Sequence, residues 1–354
     1  MVKRVCFVSS GTGGHLLPAM VLADALRERG HDPLLLAEGR PAEKALRKRL
    51  NCIAEDLSVG GSGLGLPVRL MSAAWRARRF LCKHDVDLVV GTGGRTTVPV
   101  ALAARSLGRP ICLMEQNATP GRANRWLMPL ARRIYLGLPT KISMPRSLLT
   151  GTPIRNDLRN RQRGQARRQL GFTHGDRVVF VTGGSQGAEI LNRTVPEAIR
   201  KLSGPVQVIH LAGQGNEGMV QDLYRKAALK HDPIIRPVMT DMATLYAAAD
   251  LVICRGGGGT IAELIAAGRG AIIVPYPHHK DRQQFHNGKV LESAGAAIVV
   301  EQQDLAAQPL AELIDRVVFG DQAEEMGHRA ALLATHDAAQ RILDDILSML
   351  ATDQ

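Results

Sequence analysis

Short apolar runs recur along the chain, each ending in polar or glycine-rich residues. They are VCFV (5–8), PLLLA (33–37), DLVVG (87–91) and PICLME (110–115) in the first half. VVFVTGG (178–184), VQVIHLAG (206–213), DLVICRGG (250–257), AIIVPY (271–276) and AAIVVE (296–301) follow in the second. Near-continuous apolar runs of this length mark strands buried on both faces of a parallel sheet. Between them lie longer stretches such as HLLPAMVLADALRERG (15–30), whose apolar positions repeat at helical spacing.

RVCFVSSGTGG (4–14) is echoed by RVVFVTGGSQG (177–187), each leading into a helical stretch. The duplication predicts an α/β protein of two Rossmann-like parallel-sheet domains, each opening on strand, glycine loop and helix. The polar, basic stretch GTPIRNDLRNRQRGQARRQLG (151–171) reads as the connection. Domains are expected at 1–155 and 156–330, with 331–354 a terminal amphipathic helix that could pack on either and is expected to return to the first. Folds of this kind bind ligands at the carboxyl ends of their strands and in the cleft between domains. Functional residues are therefore expected in loops after strands, in both halves.

Composition narrows this only a little. The 354 residues suit two domains, and aromatic side chains make up just 3%, too few for a base-stacking surface. The net charge of +12 asks for an anionic partner; with zinc-finger spacing missing too, nucleic acid is set aside, and a phosphorylated substrate or an anionic membrane surface remains open. No apolar run approaches the ~20 residues of a membrane span, and the amino-terminal apolar stretch is too short for a signal peptide. The five cysteines form no CxxC pair, as expected in a reducing compartment such as the cytoplasm.

Three glycine loops end strand-like runs and precede helical stretches: GTGG (11–14), GGSQG (183–187) and RGGGGT (255–260). Backbone N–H groups and the positive end of a helix favour an anion at such a place. The lysine of a phosphate-loop NTPase is missing, and the dinucleotide pattern G-x-G-x-x-G is met at Gly11 and Gly13 but broken at Leu16. Glu38, at the end of the second strand, keeps a nicotinamide dehydrogenase open as a remote alternative. No D-x-D or clustered His/Asp set asks for a cation, so neither a metal nor a cofactor is expected.

Seven motifs occur in order: GTGGHLLPA (11–19), GTGGRTTVPVALAA (91–104), EQNATPGRANRWL (115–127), GTPIR (151–155), GGSQGAEILN (183–192), ICRGGGGTIAELIAAG (253–268) and HKDRQQFHN (279–287). Together they resemble the MurG family, bacterial transferases that move N-acetylglucosamine from UDP onto lipid-linked N-acetylmuramoyl pentapeptide in peptidoglycan synthesis. The resemblance covers essentially the whole chain and implies the GT-B fold, two Rossmann-like domains facing a central cleft.

For the donor, the resemblance implies that the second domain holds UDP-N-acetylglucosamine. Glu263 would accept hydrogen bonds from the ribose hydroxyls, a strong use of a carboxylate. Gly258, Gly259, Thr260, Ile261 and Ala262, leading up to it, would line the same site. Ser185 and the amides of 183–187 would meet the diphosphate. Met239 matches a position whose backbone reads uracil, and Gln283 and Gln284 match a pair contacting the sugar hydroxyls. Arg155 would supply charge to the departing diphosphate in place of a metal. From the first domain, Thr12, Gly13 and Gly14 would approach donor sugar and acceptor phosphate, and Asn117 would hydrogen-bond the sugar. Inverting transfer needs a base for the acceptor hydroxyl, with His15 the first candidate and Glu115 the second.

The chain departs from the family at three places: GGGG (256–259) stands for a run with serine, alanine and leucine, RTTV (95–98) for tyrosine-valine-serine-glycine, and Met114 for a histidine. Acceptor recognition near Arg95 is where a difference is expected. The segment 63–84 mixes Leu64, Leu66, Leu70, Met71, Trp75 and Phe80 with Arg69, Arg76, Arg78, Arg79 and Lys83, a composition suited to an anionic bilayer surface. The resulting expectation is a peripheral enzyme on the cytoplasmic face of the membrane, acting on a polyprenyl-diphosphate-linked acceptor. Two alternatives remain open: a related GT-B transferase with a diacylglycerol or polysaccharide acceptor, and a non-catalytic sugar-nucleotide-binding partner subunit.

Overall fold

The computed structural model describes every residue except 11–12, 41–42, 45–49, 61–64, 141–143, 336 and 353–354. The chain divides into two compact units, Met1–Ile154 with Thr335–Gln354, and Arg155–Ala334. Among the described residues the first unit holds seven parallel strands: β1 (Arg4–Ser9), β2 (Asp32–Ala37), β3 (Ile53–Asp56), β4 (Leu88–Gly91), β5 (Ile111–Glu115), β6 (Arg133–Leu136) and β7 (Ser147–Leu149). Their order is β3-β2-β1-β4-β5-β6-β7, so the chain reverses its direction of travel across the sheet between β1 and β4. That reversal splays the loops after β1 and β4 apart and makes the crevice where ligands of open parallel sheets bind.

The continuous apolar runs are explained by burial on both faces. In β1, Cys6 and Val8 enter one core cluster while Val5 and Phe7 enter another, the period of two that a pleated strand imposes. Helices α1 (Gly13–Glu28), α2 (Leu66–Lys83), α3 (Thr97–Ser106) and α4 (Arg122–Leu127) follow β1, β3, β4 and β5. Leu16, Leu22 and Leu26 of α1 are fully buried over one face, and Ala73, Ala77, Phe80 and Leu81 of α2 over the other.

The second unit repeats the plan with six parallel strands, in the order β10-β9-β8-β11-β12-β13. These are β8 (Val178–Thr182), β9 (Gln207–Leu211), β10 (Ile234–Arg236), β11 (Leu251–Cys254), β12 (Gly270–Ile273) and β13 (Ala297–Val299). The helices that matter below are α5 (Arg163–Gln169), α6 (Glu189–Arg200), α7 (Glu217–Ala227), α8 (Met242–Ala248), α9 (Gly258–Ala267) and α10 (Gln283–Ser293). At the amino edge of this sheet the buried Asp250 carboxylate accepts from the Val178 amide and the Arg167 guanidinium, both at 2.7 Å, and from Arg163. It thereby ties α5 to β8.

The last helix, α11 (Ala338–Thr352), belongs to the first unit. Ile342, Leu343, Ile346, Met349 and Leu350 share a core cluster with Phe7, Leu16 and Leu22. Its polar anchor is Asp345, which takes a forked pair from Arg133 at 2.9 and 3.0 Å and the Tyr135 hydroxyl at 2.8 Å, both from β6. Removing that carboxylate strands a guanidinium and a phenol in a half-buried place. Asp345→Ala is therefore expected to lower the stability of the first unit by about 1.5–3 kcal/mol, the range for charged hydrogen bonds. Urea unfolding followed by hydrogen exchange would check this; unchanged protection in β6 and α11 would refute it.

Candidate functional site

In the first unit the sequence-predicted residues gather at the carboxyl ends of β1, β4 and β5. Thr12 lies outside the described residues; Gly13 opens α1 and Gly14 is exposed beside it. His15 sits in the first turn of α1, half-buried, with Nδ1 2.7 Å from the carbonyl oxygen of Thr92. Thr92 is itself pinned, its amide to the Val8 carbonyl at 2.9 Å and its hydroxyl to the Val8 and His15 carbonyls at 3.0 and 2.9 Å. A carbonyl only accepts, so His15 carries its proton on Nδ1 and presents a lone pair at Nε2. Gly93 makes room for this: it holds φ +105°, and a Cβ there would come 3.0 Å from His15 Cε1.

Glu115, at the end of β5, is 1% exposed and saturated. One carboxylate oxygen accepts from the amide and side chain of Asn117, at 3.0 and 2.9 Å. The other accepts from the Gly121 amide at 2.9 Å and Asn124 Nδ2 at 2.8 Å. Four donors converge on it, which closes the loop 115–124 and engages the Asn117 side chain. As a proton acceptor it is poorly placed beside His15, because every donor it meets belongs to its own loop. Asn124 and Thr92 escaped the sequence reading: Asn124 meets Glu115 only through the closed loop, whereas the second GTGG, at 91–94, was a visible signal for Thr92.

In the second unit Glu263 stands in the second turn of α9, half-buried, and accepts from the Tyr246 hydroxyl of α8 at 3.0 Å. Withdrawal from water pushes its carboxyl up to about 7; the Tyr246 hydrogen bond and the Arg155 charge pull downward, and Asp157 pushes upward again. Arg155 donates to the Thr240 carbonyl at 3.2 Å and lies 3.5 Å from Asp157. Gly258, Gly259, Thr260 and Ala262 are partly exposed in the opening turns of α9, while Ile261 turns wholly into the core. Ser185 is exposed on the loop after β8, and Met239 is half-buried after β10. Gln283 begins α10, and Gln284 accepts from the Tyr276 amide at 2.9 Å. Asn287, fully buried, donates to the Gly256 carbonyl at 2.9 Å and so ties α10 to the glycine run. Tyr246 went unnoticed in the sequence because it lies in an apolar stretch with no polar neighbour to mark it. Among the described residues no group of three or more His, Cys, Asp or Glu could hold a metal ion.

Helix α2 corrects the expected membrane face. Leu64 lies outside the described residues, Leu66 and Leu70 pack against the core, and Phe80 is 3% exposed inside it. Val68, Met71 and Trp75 project instead, at 70%, 73% and 63% exposure. They lie three and four residues apart on one helix face, with Arg79 6.0 Å from the Trp75 ring and Lys83 exposed beyond. Apolar and basic residues mixed in one segment do not reveal which of them face inward; the helical phase does. No helix among the described residues is long and apolar enough to cross a membrane.

The chain matches two family descriptions, the glycosyltransferase family 28 N-terminal domain over residues 5–136 and the C-terminal domain over residues 178–342. It is 36% identical over 98% of its length to a UDP-N-acetylglucosamine–N-acetylmuramyl-(pentapeptide) pyrophosphoryl-undecaprenol N-acetylglucosamine transferase of Actinobacillus pleuropneumoniae serotype 5b, covering 99% of that protein. To the enzyme of the same name from Neisseria meningitidis serogroup C it is 39% identical, over 88% of this chain and 89% of the relative. The crystal structure of MurG from Acinetobacter baumannii superposes with a TM-score of 0.81 at 31% identity, covering 98% of this chain and 99% of that one. With both family halves matched and over a third of its residues shared along nearly its full length, the chain belongs to the MurG family of glycosyltransferases.

Proposed function

We propose that this chain transfers N-acetylglucosamine from UDP-N-acetylglucosamine to undecaprenyl-diphospho-N-acetylmuramoyl pentapeptide, with inversion at the anomeric carbon. The observation that carries this is full-length similarity to relatives named for that transfer. The two sites supply its chemistry. The acceptor hydroxyl gives its proton to His15 Nε2 as its oxygen bonds to the anomeric carbon, and the bond from that carbon to the diphosphate breaks on the opposite side. Thr92 holds the imidazole in the tautomer that can take the proton. Glu115 is assigned to ordering the loop that bears Asn117, rather than to proton transfer. Thr12, Gly13 and Gly14 are assigned to the sugar and acceptor phosphate.

In the second unit, Glu263 takes the ribose hydroxyls and Met239 reads the base through its backbone. Gln283 and Gln284 meet the sugar. Ser185 with the amides of 183–187, and Gly258, Gly259 and Thr260 in the opening turn of α9, face the diphosphate. Arg155 balances the charge that grows on it as the bond breaks. Val68, Met71 and Trp75, with Arg79 and Lys83 beside them, are read as the part of α2 that rests on an anionic membrane at its cytoplasmic face.

Replacing His15 with Ala should lower kcat by roughly 10²–10⁴ with little change in donor affinity. Asn at the same position should not restore the rate, because an amide can align a hydroxyl but cannot take its proton. Substantial rescue by Asn would remove His15 from the base role.

The Glu263 carboxyl binds hydroxyl donors best when ionised, and its group titrates near 7. Affinity for UDP-N-acetylglucosamine, which does not itself titrate there, should therefore rise as pH increases through 7 and level off above it. In Glu263→Gln the profile should be flat and the affinity about 1–3 kcal/mol weaker, measured by calorimetry. A wild-type profile flat from pH 6 to 8 would contradict the assignment.

The triple variant Val68→Ser, Met71→Ser, Trp75→Ser should bind anionic vesicles less while keeping activity on a soluble acceptor analogue. Vesicle binding of the wild-type chain should also weaken with salt, since the basic fringe is screened. Equal vesicle sedimentation of variant and wild type would rule this face out.

A further inference from the structure

Behind the loop after β8 runs a chain of buried hydrogen bonds that no substrate role accounts for. Tyr224 on α7, His210 on β9 and Asn192 on α6 are 2%, 0% and 1% exposed. The Tyr224 hydroxyl lies 3.0 Å from His210 Nδ1, and His210 Nε2 lies 3.0 Å from Asn192 Oδ1. Asn192 Nδ2 then donates to the Ala212 carbonyl at 2.9 Å. A backbone carbonyl only accepts, which fixes the Asn192 amide and sets Oδ1 toward the ring. His210 must therefore carry its proton on Nε2 and accept from Tyr224 at Nδ1. Burial lowers His210 to about 3, so the ring stays neutral and the chain keeps one direction.

Its end point is a floor. The amides of Ala212 and Gly213 are bonded to the carbonyls of Arg236 and Pro237, each at 2.9 Å, so this main chain cannot swing freely. The loop Gly183–Gly187 rests directly on it. A Cβ on Gly187 would overlap the Ala212 carbonyl, and a Cβ on Gly213 would come 2.5 Å from the Gln186 carbonyl oxygen. At the far end of the loop α6 begins with the ordinary helical bond from the Asn192 main-chain N–H to the Ala188 carbonyl, at 2.9 Å, and from this turn the Asn192 side chain reaches back to the floor. One side chain therefore ties the floor beneath the loop to the helix that follows it.

We propose that Tyr224, His210 and Asn192 are positioning residues for diphosphate recognition, setting the Ala212 carbonyl and through it the amides of 183–187 that receive the donor's phosphates. This rests on the reading of that loop as the diphosphate site. The relay touches no ligand, and its effect is selective. Disturbing the floor shifts the phosphate-binding amides, while the ribose contact at Glu263 is held separately by Tyr246.

The test compares UDP with uridine on the full-length chain by competition calorimetry at pH 8. His210→Phe keeps an aromatic ring but leaves Tyr224 and Asn192 unpaired. It should weaken UDP by about tenfold, the equivalent of one hydrogen bond, and leave uridine within about twofold. His210→Gln keeps one donor and one acceptor and should recover most of the UDP affinity. If the Phe variant does not fold, Tyr224→Phe takes its place with the same selective loss of UDP expected, and His210→Gln remains the variant that keeps the affinity. UDP and uridine falling together, or an unchanged UDP affinity in a folded His210→Phe, would overturn the proposal. Equal affinity of the wild-type chain for UDP and uridine would overturn the diphosphate reading itself, and the relay's role with it.

Discussion

At the carboxyl edge of each sheet, the main chain lies against its neighbours at separations that leave no room for a side chain. Gly93 lets the His15 ring lie against the loop after β4, and Gly187 and Gly213 let two loops of the second unit press together. Most of what the two units can do depends on this packing. It sets the Thr92 carbonyl against a ring nitrogen of His15 and the loop 183–187 against the Ala212 carbonyl, and it fixes them there without long, floppy side chains. A backbone dipole held on both sides needs no reorganisation when charge appears beside it.

Within that frame, two carboxylates at comparable places acquire opposite characters. Glu115 is buried and meets four donors, so its charge is spent on holding a loop closed. Glu263 is held by one phenol, and desolvation outweighs the help it receives from Tyr246 and Arg155. The first is an anchor and the second is sensitive to its surroundings, a difference set by the number of donors supplied and not by the carboxyl group. His15 and His210 divide in the same way. Thr92 leaves one nitrogen of His15 available, while Tyr224 and Asn192 occupy both nitrogens of His210.

The strands were legible because parallel sheets covered on both faces write their burial directly into continuous apolar runs, and the duplicated RVxFV motif made the two-domain plan visible. The glycine loops were legible because few other residues permit such close approach. Phe80 was not, since only the phase of α2 shows that it faces the core while Met71 and Trp75 face out. The saturation of Glu115 was not either: two of its donors come from Gly121 and Asn124, and they reach it only once the loop has closed. Tyr246 and His210 sit in apolar stretches where a polar atom gives no sign of its partner. Their bonds cross between elements, and spacing along one element carries no record of them.

The return of α11 to the first unit has a bearing on how the molecule is made. The cluster that contains Phe7 and Leu16 is completed by Ile342, Leu343 and Ile346, which leave the ribosome more than three hundred residues later. All of Arg155–Ala334 has been synthesised by then and can fold as a unit of its own. The earlier-made unit must wait with one apolar face uncovered, and Arg133 and Tyr135 without Asp345, until α11 arrives. Of the two units, the one begun earlier is thus the one completed later, and during that interval its uncovered apolar face is open to aggregation.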